Sequence, residues 1–245
     1  MTTQFQALET GSGNYTSSVN VVELDSTSSY TMAAWVKSGP ANSHIDGMLY
    51  ISSGVEGDEW QADFLGWRQN SNKFHINVNG KRLKPAADTS SIRDTWQHVT
   101  MVREGGTTYL YLNGSDKISN TTTSAVREGS FYIGQGRQNI GTAGSSEQKV
   151  YALKFWNRAL TENEIKAEMR FVTPVRQRNL VGYWPNGVKD YSGRDNDLVL
   201  TGTRVEVEPP PIAWKRQRHQ YVRIDTTPAV SNQNLAFGSL PLKLY

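Results

Sequence analysis

The stretch that decides the fold runs from residue 150 to residue 164 and reads VYALKFWNRALTENE. Its first part, Val150 to Trp156, is a run of apolar and aromatic residues that is typical of a strand. Its end carries a capping box, because Thr161 is followed three residues later by Glu164. We therefore predict a strand that is followed by one short helix, from about Glu162 to Phe171.

Upstream of this stretch, short alternating runs bounded by Gly, Asn, Asp and Ser dominate the chain, and two more runs follow the helix. This pattern is typical of a sandwich of antiparallel sheets and differs from the longer spacing of alternating strands and helices. The predicted strands are Tyr30–Lys37, Lys73–Asn79, Trp96–Val102, Thr107–Leu112, Phe131–Gly134, Leu180–Trp184 and Leu198–Leu200. The predicted fold class is therefore all-β with one helix.

Five short motifs occur in a characteristic order between residues 5 and 172: Tyr30–Val36, Trp96–Val102, Tyr109–Gly114, Phe131–Gly134 and Val150–Thr161. In this order and spacing the chain resembles the laminin-G-like jelly roll, a branch of the concanavalin-A-like sandwiches. The resemblance implies a sandwich of two antiparallel sheets. Asp190-Tyr191-Ser192-Gly193, followed by Asn196, resembles a turn common in that family, so we place the end of the domain at residue 203.

Composition excludes several classes of site. The chain of 245 residues has no cysteine, which excludes disulfides, Cys-ligated zinc and thiol nucleophiles. Its formal net charge is +3, from 26 basic and 23 acidic residues. Residues 1–9 show no secretory signal and no apolar run is long enough to span a membrane, so we expect synthesis in a cytoplasm.

Catalytic residues are not expected. Glycoside hydrolysis needs two carboxylates on either side of the scissile bond, and Glu56-Gly57-Asp58-Glu59, with Glu56 and Asp58 two residues apart, is the one local cluster of that kind. The glycines around them indicate a solvated loop instead of a strand. The four histidines have no metal-ligand spacing, and we read His75 as a surface histidine and His98 as a packed one.

A metal site is open to two interpretations. The family resemblance implies calcium, but Lys149 to Ala152 stands where family members often carry acidic residues. Asp190, Asp195 and Asp197 are substitute candidates for calcium. In a Ser-Gly turn, however, aspartates often bond their own backbone instead, and we expect no cofactor on that interpretation.

Carbohydrate binding is a further possibility, because exposed aromatic rings stack on the apolar faces of sugars. Trp60 and Trp67 are the candidates, since they flank the loop-rich part of the stretch between Gly54 and Asn72. Either tryptophan could equally belong to the core.

The C-terminal part, residues 204–245, is predicted to be an arm outside the domain, because three prolines at 209–211 precede a basic and aromatic stretch. We expect the arm to dock on neighbouring subunits. The docking residues are Trp214, Lys215, Arg216, Arg218, Tyr221 and Arg223. The alternative is nucleic-acid binding, in which the same bases would neutralise phosphates.

Together these features resemble laminin-G-like modules of bacteriophage structural proteins. That resemblance implies a non-enzymatic virion protein assembled in the host cytoplasm, a capsid decoration or other surface protein. Its partners would be copies of itself and other virion proteins such as the major capsid protein. The alternatives are a carbohydrate-binding adhesin for host glycans and, second, a glycoside hydrolase.

Overall fold

The strands predicted from the sequence are present in the computed structural model. It describes residues 6–10, 15–22, 29–37, 45–52, 63–68, 73–78, 81–83, 94–115, 117–121, 129–133, 148–186, 188–201, 204–206 and 208–212. In chain order the elements are β1 Gln6–Thr10, β2 Tyr15–Val22, β3 Tyr30–Lys37, β4 Ile45–Ser52, β5 Asp63–Arg68, β6 Lys73–Val78, β7 Lys81–Leu83, β8 Trp96–Glu104, β9 Thr107–Leu112, β10 Ile118–Thr121, β11 Gly129–Ile133, β12 Gln148–Trp156, α1 Glu162–Glu168, β13 Leu180–Trp184, β14 Val199–Thr201 and β15 Arg204–Glu206. No helix among these residues is long and apolar enough to cross a membrane.

These strands form two antiparallel sheets. The first sheet has eight strands in the order β10-β9-β8-β3-β12-β1-β15, with β13 also paired to β12. The second has seven strands in the order β14-β2-β11-β4-β5-β6-β7. The predicted all-β architecture with one short helix is therefore confirmed.

The capping box predicted for α1 is present. Thr161 Oγ1 accepts a hydrogen bond from the Glu164 N–H, and the Glu164 carboxylate accepts one from the Thr161 N–H. The helix ends at Glu168, three residues earlier than predicted. Its last carbonyl is engaged elsewhere, because Glu168 O accepts a hydrogen bond from Lys154 Nζ at 3.0 Å.

Both faces of β3 are buried, and α1 accounts for one of them. Thr31, Ala33 and Trp35 share the face on which Trp35 Nε1 donates to Met169 O at 3.2 Å, just beyond the helix. Thr31 Oγ1 also accepts from the Leu160 N–H at 2.9 Å. Met32, Ala34 and Val36 alternate with these residues and are fully buried on the opposite face.

A buried ion pair joins β12 to α1. Lys154 Nζ lies 2.9 Å from Glu168 Oε2, and the two side chains are 2% and 0% exposed. Lys154 Nζ also donates to the carbonyls of Glu168 and Phe171, so all three ammonium hydrogens have acceptors. The Glu168 carboxylate accepts from the N–H groups of Val175 and Arg176. The pair therefore binds the helix and the following loop to the sheet.

His98 adds no competing charge beside this pair. Burial, followed by the positive charge of Lys154, lowers the pKa of His98 to about 3, so its imidazole is neutral near pH 7. Its ring packs edge-on against Trp35, with 5.5 Å between the ring centroids. The expectation that His98 is a packed histidine is confirmed.

A bulge in β12 places Lys154 on the α1 side. Ala152 has a φ of 52°, and the register against β3 shifts between Tyr151 and Lys154. Tyr151 pairs with Trp35 and Lys154 with Ala33, so both face the helix. The bulge also changes the neighbour of β12 from β1, which pairs through residue 150, to β13, which pairs from residue 153.

The structure moves the predicted domain boundary from residue 203 to a later point. β15 (Arg204–Glu206) pairs with β1 and forms one end of the first sheet. Beyond it, Glu208 O accepts a hydrogen bond from Trp96 Nε1 at 2.9 Å, and Ile212 packs on the core. Contacts divide the chain into one unit of residues 1–215 and a second of residues 216–245.

Removing one partner of the buried pair should destabilise the fold. We expect Lys154→Met to lower the free energy of unfolding by about 3–5 kcal/mol, because it leaves a buried carboxylate without its cation. The matched control is Lys166→Met, which breaks the exposed pair with Glu162 and should cost about 0–1 kcal/mol. Urea denaturation measures both, and equal stability of the two variants would contradict the role given to Lys154.

The revised boundary predicts a difference between two shortened chains. A chain of residues 1–215 should unfold in urea with the stability of the full chain. A chain of residues 1–203 should be less stable by about 2 kcal/mol or more, because it loses β15, the bond to Trp96 and the packing of Ile212. If both shortened chains had the same midpoint of urea unfolding, the domain would end at residue 203 as the sequence predicts.

Candidate functional site

The free edge of β13 is covered by the turn that follows it. We call residues 190–197 the edge turn. The Tyr191 N–H donates to Tyr183 O at 2.8 Å, and the Tyr183 N–H donates to Asp190 Oδ1 at 2.9 Å. Val181 O accepts from Ser192 Oγ and from Asn196 Nδ2. These bonds satisfy backbone groups of β13 that a neighbouring strand would otherwise bind. They therefore protect the edge from pairing with another chain.

Asp190 organises the edge turn. Its side chain is almost fully buried and accepts four hydrogen bonds, from the N–H groups of Tyr183, Ser192 and Asn196 and from Ser192 Oγ. Asp197 accepts one from the Asp190 N–H at 2.9 Å and one from Lys189 Nζ at 2.8 Å. The backbone of the turn is therefore held rigidly against β13.

The calcium candidates of the sequence lie in this turn but are not assembled into a metal site. Asp190 and Asp197 direct their oxygens to the backbone and to Lys189, while Asp195 is exposed. Within the described residues, no group of three or more His, Asp or Glu side chains is placed to hold a metal ion. These bonds agree with the second interpretation from the sequence, in which the aspartates bond the backbone of their own turn.

Tyr191 is the most conspicuous side chain of the edge turn. It is 61% exposed, and its ring centroid lies 6.3 Å from that of the buried Tyr183. An aromatic ring on a rigid backbone offers apolar area at a small entropic cost. The sequence places Tyr191 in a recognised turn, but it does not show that the ring faces solvent.

Arginines lie in the edge turn and near the start of β13. Arg194 Nε donates to Leu180 O at 2.9 Å, and Arg158 Nε donates to Arg178 O at 3.4 Å. Arg158 also binds both oxygens of Glu164, at 3.0 and 2.8 Å. That hydrogen bonding, chiefly from Arg158, lowers the pKa of Glu164 to about 2.

The other residues selected from the sequence lie elsewhere. Trp67 is on β5, where its Cα pairs with Asp46 and Phe74, so a strand occupies part of the stretch that the sequence indicates as loop-rich. The remaining candidates lie outside the described residues: Trp60, Glu56, Asp58, Trp214, Lys215, Arg216, Arg218, Tyr221 and Arg223.

Comparison with known families identifies the fold. Residues 10–166 match the laminin-G-like family model of the Concanavalin A-like lectin/glucanases superfamily. The chain belongs to this superfamily. The predicted laminin-G-like jelly roll is thereby confirmed. The match ends at residue 166, before β13. The edge turn therefore lies outside the part of the chain that matches the superfamily.

Individual relatives of this superfamily member are distant. Pentraxin-related protein PTX3 of Mus musculus is 24% identical over 188 residues, which cover 72% of this chain and 48% of the relative. The chain thus spans about half the length of that curated relative.

Solved structures show the same fold at low identity. A protein from Bacteroides ovatus, provisionally described as carbohydrate-binding, superimposes with a TM-score of 0.61 at 19% identity, covering 86% of this chain and 62% of that protein. A native heptameric SAP-like pentraxin from Limulus polyphemus superimposes with a TM-score of 0.52 at 15% identity, covering 82% of this chain and 94% of the pentraxin.

Proposed function

We propose that this chain is a carbohydrate-binding module without catalytic activity, and that Tyr191 is the aromatic platform for its saccharide. The observation that carries the proposal is the 61% exposure of a tyrosine ring on a turn whose backbone is fixed by hydrogen bonds. Membership of a superfamily of lectins and glucanases supports it. The Bacteroides ovatus protein, provisionally described as carbohydrate-binding, accords with it.

The chemistry of the edge turn suits binding. The apolar face of a sugar ring can pack on the phenol ring of Tyr191. That ring already contacts the ring of Tyr183. Because the turn is bonded to β13 before the ligand arrives, little ordering remains when the sugar binds. Arg194 and Asp195 follow Tyr191 in the same turn, are exposed and can bond sugar hydroxyls.

The same turn is poorly suited to hydrolysis. Two carboxylates must flank a scissile glycosidic bond, one of them able to transfer a proton. The Asp190 and Asp197 carboxylates already accept bonds from backbone N–H groups and, for Asp197, from Lys189. Of the three aspartates of the turn, Asp195 is left without such partners, and one carboxylate does not make the required pair.

The virion role expected from the sequence remains a prediction. It depends on the docking of the arm, whose candidate residues from Trp214 to Arg223 lie outside the described residues. Self-association likewise remains a prediction, although the Limulus pentraxin is heptameric. A carbohydrate-binding module on a particle surface would satisfy both roles at once.

Substitution of Tyr191 tests the proposal. We expect Tyr191→Ala to weaken binding to a retained polysaccharide at least tenfold, since loss of an aromatic contact worth about 1.4 kcal/mol has that effect. Tyr191→Phe should keep most of the affinity. Affinity electrophoresis in gels containing a neutral glucan, a galactan or an acidic polysaccharide provides the measurement.

The matched control is Val199→Ala, which shortens the other large exposed apolar side chain in the described part of the chain, at 65% exposure. It should bind as the unaltered protein does. The melting temperature of Tyr191→Ala should also be unchanged, because the side chain is mostly exposed. Retention of no polysaccharide, or equal retention of Tyr191→Ala and the unaltered protein, would overturn the proposal.

A further inference from the structure

Four arginines gather around the segment that leads into β13. We call Arg158, Arg176, Arg178 and Arg194 the arginine row. Arg158 Nε donates to the carbonyl of Arg178, and Arg194 Nε donates to the carbonyl of Leu180, two residues further on. Two guanidinium groups are therefore anchored to the backbone at residues 178–180.

The charge of the row is only partly neutralised. Glu164 binds Arg158 with both oxygens and contacts Arg176 Nε at 3.3 Å. Among the described residues, no carboxylate pairs with Arg178 or Arg194. With the four arginines, Lys154 and Lys189 counted against Glu164, Glu168, Asp190, Asp195 and Asp197, the net charge of the row and the edge turn is +1.

The anchoring leaves donors available at the surface. Arg194 uses Nε for the carbonyl of Leu180, so both of its terminal nitrogens are free of protein partners within the described structure. Arg178 and Arg194 are both exposed. A guanidinium held in this way presents a fork of N–H groups that matches the two oxygens of a carboxylate or sulfate.

Tyr191 and Arg194 of the row belong to the same edge turn. The Tyr191 N–H bonds to Tyr183 O, and Arg194 Nε bonds to Leu180 O, so both residues of the edge turn contact the backbone of β13. Three residues separate these acceptors, which corresponds to about 10 Å along a strand. The Tyr191 ring packs on Tyr183, which pairs in register with Lys154 on the α1 side, and Arg158 and Arg176 bind Glu164 of α1. The ring of Tyr191 and the guanidinium groups of Arg158 and Arg176 therefore lie on the α1 side of the sheet, and Arg194 belongs to the same turn as Tyr191.

We infer that the arginine row binds the acidic groups of an anionic polysaccharide whose sugar ring rests on Tyr191, with Arg178 and Arg194 as the direct contacts. This inference rests on the proposed function and specifies its ligand. The acidic groups can be sulfates or carboxylates, since both offer oxygen pairs to a guanidinium fork. Nucleic acid is the rival polyanion, but a single exposed tyrosine does not provide the succession of stacking rings that single strands use.

Neutralising the two direct contacts tests the inference in the full chain. We expect Arg178→Gln with Arg194→Gln to weaken binding to heparin and to polygalacturonate at least tenfold, and to reduce the dependence of binding on salt. Heparin carries sulfates and polygalacturonate carries only carboxylates, so the two probes separate the two sources of charge. Binding to any neutral polysaccharide should change less than twofold.

Two control variants separate a built site from bulk charge. Arg170→Gln with Lys117→Gln removes the same charge from exposed positions elsewhere on the described surface and should change affinity less than threefold. Arg178→Lys with Arg194→Lys keeps the charge but loses the fork, so its affinity should be intermediate. An equal loss in the Arg170 and Lys117 variant would overturn the inference, as would tighter binding of a duplex DNA than of both acidic polysaccharides.

The outcomes also distinguish this inference from the proposed function. If Tyr191→Ala loses polysaccharide binding and the Arg178 and Arg194 variant does not, the module binds saccharides but the arginine row is not its anion site. If neither neutral nor acidic polysaccharide is retained by the unaltered chain, both proposals fail. Loss of acidic binding alone in the arginine variant supports the inference.

Discussion

The buried ion pair between Lys154 and Glu168 is the interaction on which the rest of this structure depends. A charge on the face of a sheet is costly unless it is paired and fully hydrogen-bonded, and here the lysine has three acceptors. Glu168 in turn receives the N–H groups of Val175 and Arg176. The pair thus sets the path of the chain after α1, and with it the approach to β13.

The edge turn joins a structural requirement to a functional one. Among the described strands β13 pairs with β12 alone, and the hydrogen bonds of the turn protect its other edge. The same bonds determine where Tyr191 and Arg194 stand. A binding surface built in this way is preorganised, because its backbone is already required by the fold and does not need a ligand to become ordered.

Much of the fold could be predicted from local sequence, and the site largely could not. The bounds of β3, β9 and β13 follow from periodicity, and the start of α1 follows from its capping box. The bulge at Ala152 and the pairing of β15 with β1 depend on residues far away in the chain, so no local pattern reveals them. The sequence identifies Tyr191 as part of a turn, but the exposure of its ring depends on how that turn lies against β13. The sequence indicates Trp60 and Trp67 because of the loop-rich stretch around them, and such a pattern says little about solvent exposure.

The central claim is that a saccharide binds along the outer edge of β13. Backbone amide chemical shifts of the full chain, followed by NMR during titration with a sulfated heparin oligosaccharide, test it most directly. We predict that the largest shifts fall at residues 178–180 and 190–196, and that they saturate together with one affinity. Shifts confined to residues 213–245, with the edge turn unchanged, would contradict the account.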